Sequence, residues 1–76
     1  MNRYQALHSI PNERTHLICY IEELGELPGH VRRQGPWQVS GTGDIDCLKR
    51  EYRLALARDG YALVKCELAV FKPGVA

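Results

Sequence analysis

Residues 36–44 read Pro-Trp-Gln-Val-Ser-Gly-Thr-Gly-Asp, and residues 61–70 read Tyr-Ala-Leu-Val-Lys-Cys-Glu-Leu-Ala-Val. Between them, apolar side chains recur at the 3.6-residue spacing of a single helical stripe; they are Ile45, Leu48, Tyr52, Ala55 and Leu56. Residues 36–70 therefore predict a strand, a glycine turn, a helix over 45–59, a glycine stop and a second strand. Because these local signals agree with one another, this unit decides the predicted fold.

The predicted helix 45–59 has signals at both of its ends. Asp44 is a good N-cap because its carboxylate can accept hydrogen bonds from the amides of the first turn. Arg58 lies in the last turn, where a cation is favoured, and Gly60 can take the left-handed conformation that ends many helices. Residues 41–44 are therefore predicted to form a tight turn into a capped helix. A phosphate-binding loop is disfavoured because its third glycine or Gly-Lys-Ser/Thr motif is missing.

Alternation of side chains predicts the strands. Within residues 61–70, apolar side chains alternate with Lys65 and Glu67, which gives one buried and one partly wet face. That pattern is typical of an antiparallel or mixed sheet. Residues 37–40 alternate in the same way and predict a short edge strand, and residues 3–9 alternate weakly and predict a first strand.

Residues 13–24 fit two interpretations. Their apolar side chains recur at helical spacing, and Gly25 stands where a helix-ending glycine is expected. Residues 15–22 are also rich in the β-branched and aromatic types that favour strands. We prefer the helix on periodicity and keep the strand as the alternative. Residues 25–36 have Pro-Gly and Gly-Pro turn signals at their two ends and predict a long irregular loop.

Seventy-six residues make one small domain, 1–76, of the α+β class. We predict a single-layer sheet of about three strands, packed by one or two helices. Only about 60% of the surface of so short a chain can be buried, so disulfides, a metal or a partner subunit usually add stability. The three cysteines are widely spaced and form no Cys-x-x-Cys pair, which favours a reduced cytoplasmic protein without a disulfide framework. Dimerisation is the remaining way to add stability, and we favour a homodimer by a small margin.

The formal net charge of +1 is unevenly distributed. Residues 1–29 carry two arginines and four glutamates, a net charge of −2, whereas residues 30–76 carry eight cations and five acids, a net charge of +3. Such an asymmetry suits self-association as well as it suits a foreign partner. No apolar run approaches the roughly 20 residues that cross a bilayer, so no membrane association is expected.

The reactive side chains predict no catalytic, cofactor or metal site. Cys47 lies in the first turn of the predicted helix, where the dipole favours a reactive thiol, but Asp44 and Asp46 oppose it. No histidine lies near it in sequence to act as a base. His8 and His16 are expected on the surfaces of a strand and a helix, and no histidine or cysteine pair has a recurring metal-ligand spacing.

Two candidate interaction surfaces remain. On the outer face of the predicted helix, Leu54 falls away from the core stripe, framed by Arg50 and Arg53. A solvated face explains the arginines but not the leucine. The loop before the central strand supplies the second candidate, which combines Arg32 and Arg33 with Trp37. Arginine and tryptophan are over-represented in protein contacts, although the simplest interpretation of Trp37 is a core residue.

Two functions from different classes fit these surfaces. The preferred interpretation is a small, non-catalytic protein-interaction module that contacts a protein partner or itself. The alternative is a nucleic-acid-binding protein that uses the arginine-bearing helix face and the loop 32–37. The net charge of +1 weakens the alternative because nucleic-acid-binding domains usually have a stronger basic bias. An enzyme is disfavoured because no paired acids or triad spacing are present.

Overall fold

The computed structural model describes residues 3–21, 27–66 and 73–74. These residues form four strands and two α-helices, in the order β1 Arg3–Ser9, β2 Thr15–Tyr20, α1 Gly29–Arg32, β3 Trp37–Asp44, α2 Arg50–Asp59 and β4 Tyr61–Lys65. A 3₁₀ turn, Ile45–Cys47, lies between β3 and α2. Neither helix in this part of the chain has the length and apolar character needed to span a membrane.

The four strands form one antiparallel sheet in the order β3-β1-β2-β4. The central register aligns Ala6 of β1 with Ile18 of β2, and Ile18 in turn with Ala62 of β4. β3 and β4 are therefore the two edges of the sheet that the described residues form. The structure has the predicted combination of one sheet with helices, and the sheet is antiparallel, which is one of the two predicted kinds. The predicted number of about three strands is too low by one, because residues 15–20 form a strand where we preferred a helix.

β2 is a central strand covered on both faces, which explains the wrong prediction. Leu17, Ile18 and Cys19 follow one another in sequence, and each is fully buried. Strands buried on both faces are continuously apolar and lose the alternation by which a strand is recognised. A short continuous apolar run cannot be distinguished from a buried helix by periodicity. The predicted helix stop at Gly25 lies outside the described residues.

The two faces of the sheet carry separate cores. On one face, which we call the α2 face, α2 and the turn before it cover the sheet; this core consists of Tyr4, Ala6, Ile18, Leu48, Leu56 and Ala62. On the opposite face, which we call the α1 face, residues of α1 and its flanking segment cover the sheet; this core consists of Leu7, Leu17, Cys19, Leu27 and Val31. The sheet is therefore the middle of three layers.

The strand, helix and strand of residues 36–70 occur in the predicted order, but the two strands lie at opposite edges of the sheet. The predicted glycine turn 41–44 is wrong, because these residues belong to β3. Gly43 pairs with Tyr4, and a Cβ atom at position 43 would lie 2.8 Å from the Tyr4 ring. A glycine is needed here so that an aromatic ring can lie across the edge strand.

α2 starts later than predicted. Asp44 makes no capping hydrogen bond, and its carboxylate instead lies 3.4 Å from the Arg3 guanidinium. The backbone of Leu48 and Lys49 is extended, with ψ angles of 149° and 147°. The Lys49 amide donates to the carbonyl oxygen of Pro73 at 3.0 Å, so pairing with a distant segment delays the helix.

The end of α2 confirms its prediction. Gly60 has a φ angle of 84°, and its amide donates to the Leu56 carbonyl at 2.9 Å. The described residues confirm the following strand as far as Lys65, with Ala62 buried and Lys65 exposed. Its predicted continuation over 67–70 lies outside the described residues. The predicted long loop contains the four-residue helix α1.

Candidate interaction surfaces

The side of α2 that faces away from the sheet carries the predicted contact residues. Tyr52, Ala55 and Leu56 pack against the sheet. At 100° per residue, the opposite side of the helix carries Arg50, Arg53, Leu54 and Ala57. We call Arg50, Arg53 and Leu54 the outer ridge. Leu54 is 57% exposed, more than any other large hydrophobic residue of the described chain, so its predicted exposure is confirmed.

The cations of the outer ridge have no ion-pair partner in the described part of the chain. The ion pairs found there join Arg3 to Asp44 and Arg58 to Asp59. The hydrogen bond that Arg58 donates to the Asp59 carboxylate, and then the charge of that carboxylate, raise the pKa of Arg58. Arg50 and Arg53 are exposed and lie more than 4.0 Å from every described carboxylate. Their charges are therefore available to a partner.

The second predicted surface has a different character. Arg32 and Arg33 are exposed, but Trp37 is half-buried and packs against the core of the α1 face. The Trp37 indole nitrogen donates to the carbonyl oxygen of Val31 at 3.3 Å, which ties β3 to α1. Trp37 therefore has a structural role. Because α1 and α2 cover opposite faces of the sheet, the six predicted residues do not form one continuous surface.

A groove between α2 and β4 is a third surface, and sequence reasoning missed it. Its volume is about 350 Å³, within the roughly 300–1,000 Å³ typical of ligand clefts. It is lined by Glu51, Tyr52, Ala55, Arg58 and Asp59 of α2 and by Tyr61, Ala62, Leu63 and Val64 of β4. The spacing of Glu51, Ala55 and Arg58 marks one flank of the helix. Only the strand order shows that β4, an edge strand of the described sheet, lies beside that flank.

Two histidines form a cross-strand pair on the α2 face. His8 of β1 lies directly opposite His16 of β2. His16 was predicted on a helix surface, which is wrong because it is a buried residue of a central strand. Burial, and secondarily the charge of His8, lower the pKa of His16 below 6.5. Among the described residues, no group of three or more histidine, cysteine or acidic side chains could hold a metal ion.

The predicted position of Cys47 is also corrected. It lies in the 3₁₀ turn before α2, three residues from the first residue of that helix, and it is exposed. The helix dipole therefore does not act on this thiol as expected for a first-turn residue. Cys66 is half-buried and Cys19 fully buried.

Comparison with known proteins identifies no relative from which a function for these surfaces could be inferred. No protein-family model, curated protein or solved structure matches this chain significantly.

Proposed function

We propose that the protein is a non-catalytic interaction module that binds an acidic segment of a protein partner through the outer ridge of α2. The observation that carries this proposal is the 57% exposure of Leu54 between arginines that have no ion-pair partner among the described residues. An apolar side chain framed by arginines can lie at the centre of a contact, with the arginines holding carboxylates around it. The favoured partner therefore presents one apolar side chain flanked by aspartate or glutamate.

The same ridge is poorly suited to a second copy of itself. A two-fold contact centred on Leu54 would bring Arg50 and Arg53 of both copies together, and neither arginine has an ion-pair partner among the described residues. Like charges in direct opposition are unfavourable. This charge arrangement supports a foreign partner at the outer ridge.

We propose that self-association of the protein occurs through β3. This edge strand has eight residues, its outer side pairs with no other strand of the described chain, and its Val39 is 50% exposed. An edge of this kind can pair with another strand. Asp44 is the one charged residue of β3 and lies at its end, so antiparallel pairing of two copies keeps the two carboxylates apart.

Nucleic acid is less favoured as the partner. The half-buried Trp37 is not a free stacking platform, and the two arginine patches lie on opposite faces of the sheet. A nucleic-acid backbone would usually be held by one continuous basic groove with exposed aromatic rings. The net charge of +1 gives no compensating attraction over the whole molecule.

A binding experiment tests the choice of partner. A synthetic peptide with one leucine flanked by glutamates is titrated into the isotope-labelled protein, in parallel with short DNA and RNA at low and raised salt. We expect the peptide to shift the amide resonances of α2 and Leu54→Glu to abolish the shifts. Arg32→Glu, on the opposite face, is the matched control and should leave them intact. Saturable binding of DNA or RNA with a steep salt dependence, and none of the peptide, would contradict the proposal.

Sedimentation equilibrium tests self-association separately. Val39→Lys and Leu54→Lys introduce the same charge at residues of similar exposure on β3 and α2. A dimer through β3 should dissociate in Val39→Lys and persist in Leu54→Lys. If the wild-type protein sediments as a monomer at every concentration tested, the proposed self-association is wrong.

A further inference from the structure

The groove between α2 and β4 runs along the outer side of β4, which pairs with no other strand of residues 3–21, 27–66 and 73–74. Tyr61, Ala62, Leu63 and Val64 all line it, although successive side chains of a strand point to opposite faces. A cavity that touches four consecutive strand residues must therefore pass beside the strand and meet its backbone. Since β4 pairs only with β2 among the described strands, the outward backbone groups of β4 face this groove.

The other wall of the groove is one flank of α2. At 100° per residue, Glu51, Ala55 and Arg58 lie on the same side of the helix. This side is turned away from Leu54 and faces β4. Ala55 is small and half-buried, and it faces the groove beside the buried Ala62. Because both alanines are small, the groove beside them has space for a further side chain, and no residue of the described part of the protein fills it.

The charges of the groove select the chemistry of its ligand. Arg58 and Asp59 neutralise each other through an ion pair of 3.0 Å. Glu51 is exposed and has no ion-pair partner among the described residues. Burial, and secondarily the charge of Glu51, raise the pKa of Tyr52 beside it, so the phenol stays neutral. The groove therefore carries one uncompensated negative charge above an apolar floor.

We propose that this groove binds an extended segment of a protein partner, which adds to β4 as a further strand of the sheet. Main-chain hydrogen bonds to β4 would supply affinity, an apolar side chain would fill the space beside Ala55 and Ala62, and a lysine or arginine would lie opposite Glu51. Strand addition of this kind is a general mode of peptide recognition. The inference does not rest on the outer ridge, which lies on a different side of α2.

The test uses the full chain, labelled with ¹⁵N, and two pools of short peptides. Both pools alternate valine and threonine around one fixed position, which is lysine in the first pool and glutamate in the second. We expect the lysine pool to shift the amide resonances of β4 and to protect them from hydrogen exchange, with about two- to fivefold tighter binding than the glutamate pool, as for a single ion pair.

Glu51→Lys is the decisive variant because it should reverse the preference between the two pools. Glu51→Gln, which should only remove the preference, guards against loss of folding in the charge-reversal variant. Leu54→Lys is the control on the same helix and should leave peptide binding unchanged even where it abolishes binding at the outer ridge. The unfolding midpoint of each variant shows that it remains folded.

Three results would overturn the inference. The first is the absence of shifts with both pools, and the second is a set of shifts confined to β3 or the outer ridge. The third is that the resonances of β4 shift on dilution of the protein alone, because a second copy would then occupy the groove. If the resonances of β4 shift but the preference between the two pools is the same in Glu51→Lys, strand addition is still supported. The assignment of a basic side chain opposite Glu51 is then contradicted.

Discussion

The two faces of the sheet are equally well buried but are covered in different ways. Ile18 on the α2 face and Leu17 on the α1 face are both fully buried on the same strand. A regular ten-residue helix covers the first, whereas a four-residue helix with Leu27, Val31 and Trp37 covers the second. The comparison teaches that a sheet face can be tightly buried without a regular helix over it. Only the regular helix, however, presents regularly spaced side chains on its outer side to a partner.

Large-to-small substitutions on β2 test whether the two faces contribute equally. We expect Ile18→Ala and Leu17→Ala each to lower the free energy of unfolding by about 2–5 kcal/mol, because both remove fully buried methyl groups. Urea denaturation followed by circular dichroism measures both values. A cost below about 1 kcal/mol for Leu17→Ala alone would show that the irregular cover is loosely packed.

A pair of glycines on β3 gives a sharper test of the α2 face. A Cβ atom at Gly43 would lie 2.8 Å from the Tyr4 ring, whereas one at Gly41 meets nothing within 4 Å. We expect Gly43→Ala to cost about 1–3 kcal/mol through displacement of the ring. Gly41→Ala should be neutral or stabilise by up to about 1 kcal/mol, since alanine loses less backbone freedom in a strand. Equal effects in urea denaturation would mean that the Tyr4–Gly43 contact is not fixed.

The two faces should also differ in their response to acid. The pKa of His16 on the α2 face is lowered below 6.5 by burial and by His8. The unfolded chain therefore binds a proton more readily than the folded one, so stability should fall as the pH drops below about 6.5 and stop falling at the folded-state pKa. The buried polar residues that the described chain places on the α1 face, Gln5, Ser9 and Thr15, do not titrate in this range.

Unfolding curves across this pH range measure the acid response. His16→Gln should flatten the dependence, and His8→Gln should reduce it by removing the neighbouring charge. A dependence that survives in His16→Gln would assign the acid response to other groups.

The smallest expected effect concerns the irregular cover. Trp37→Phe keeps an aromatic ring in the α1-face core but removes the hydrogen bond to the Val31 carbonyl. We expect a loss of about 0.5–1.5 kcal/mol, the usual net value of such a bond. Thermal unfolding measures the loss, and Trp37→Ala should cost several times more. If the two variants were equally destabilised, the ring would contribute nothing beyond its hydrogen bond.

Local signals in the sequence were sufficient where the structure depends on local interactions. The apolar stripe of α2, the glycine that ends it and the exposure of Leu54 are all properties of one helix and its last turn. β1 and the first half of β3, residues 37–40, were recognised for the same reason. The outer ridge could therefore be located before the fold was known.

Sequence reasoning failed where a distant segment decides the local structure. Residues 15–20 form a strand because they are sandwiched between two covers, and Gly43 lies in a strand because Tyr4 packs on it. The start of α2 depends on Pro73, more than twenty residues away. The groove beside β4 depends on which strand is the last in the sheet, a property that no local pattern contains.

The position of β1 and β2 at the centre of the sheet has a consequence for folding. They pair across a connection of only a few residues, whereas β3 and β4 reach the sheet after much longer excursions of the chain. Short connections close at the lowest entropic cost. We therefore expect the hairpin of residues 3–20 to form first and to act as the template for both edges. Since synthesis proceeds from the N-terminus, this template emerges from the ribosome before the segments that will dock on it.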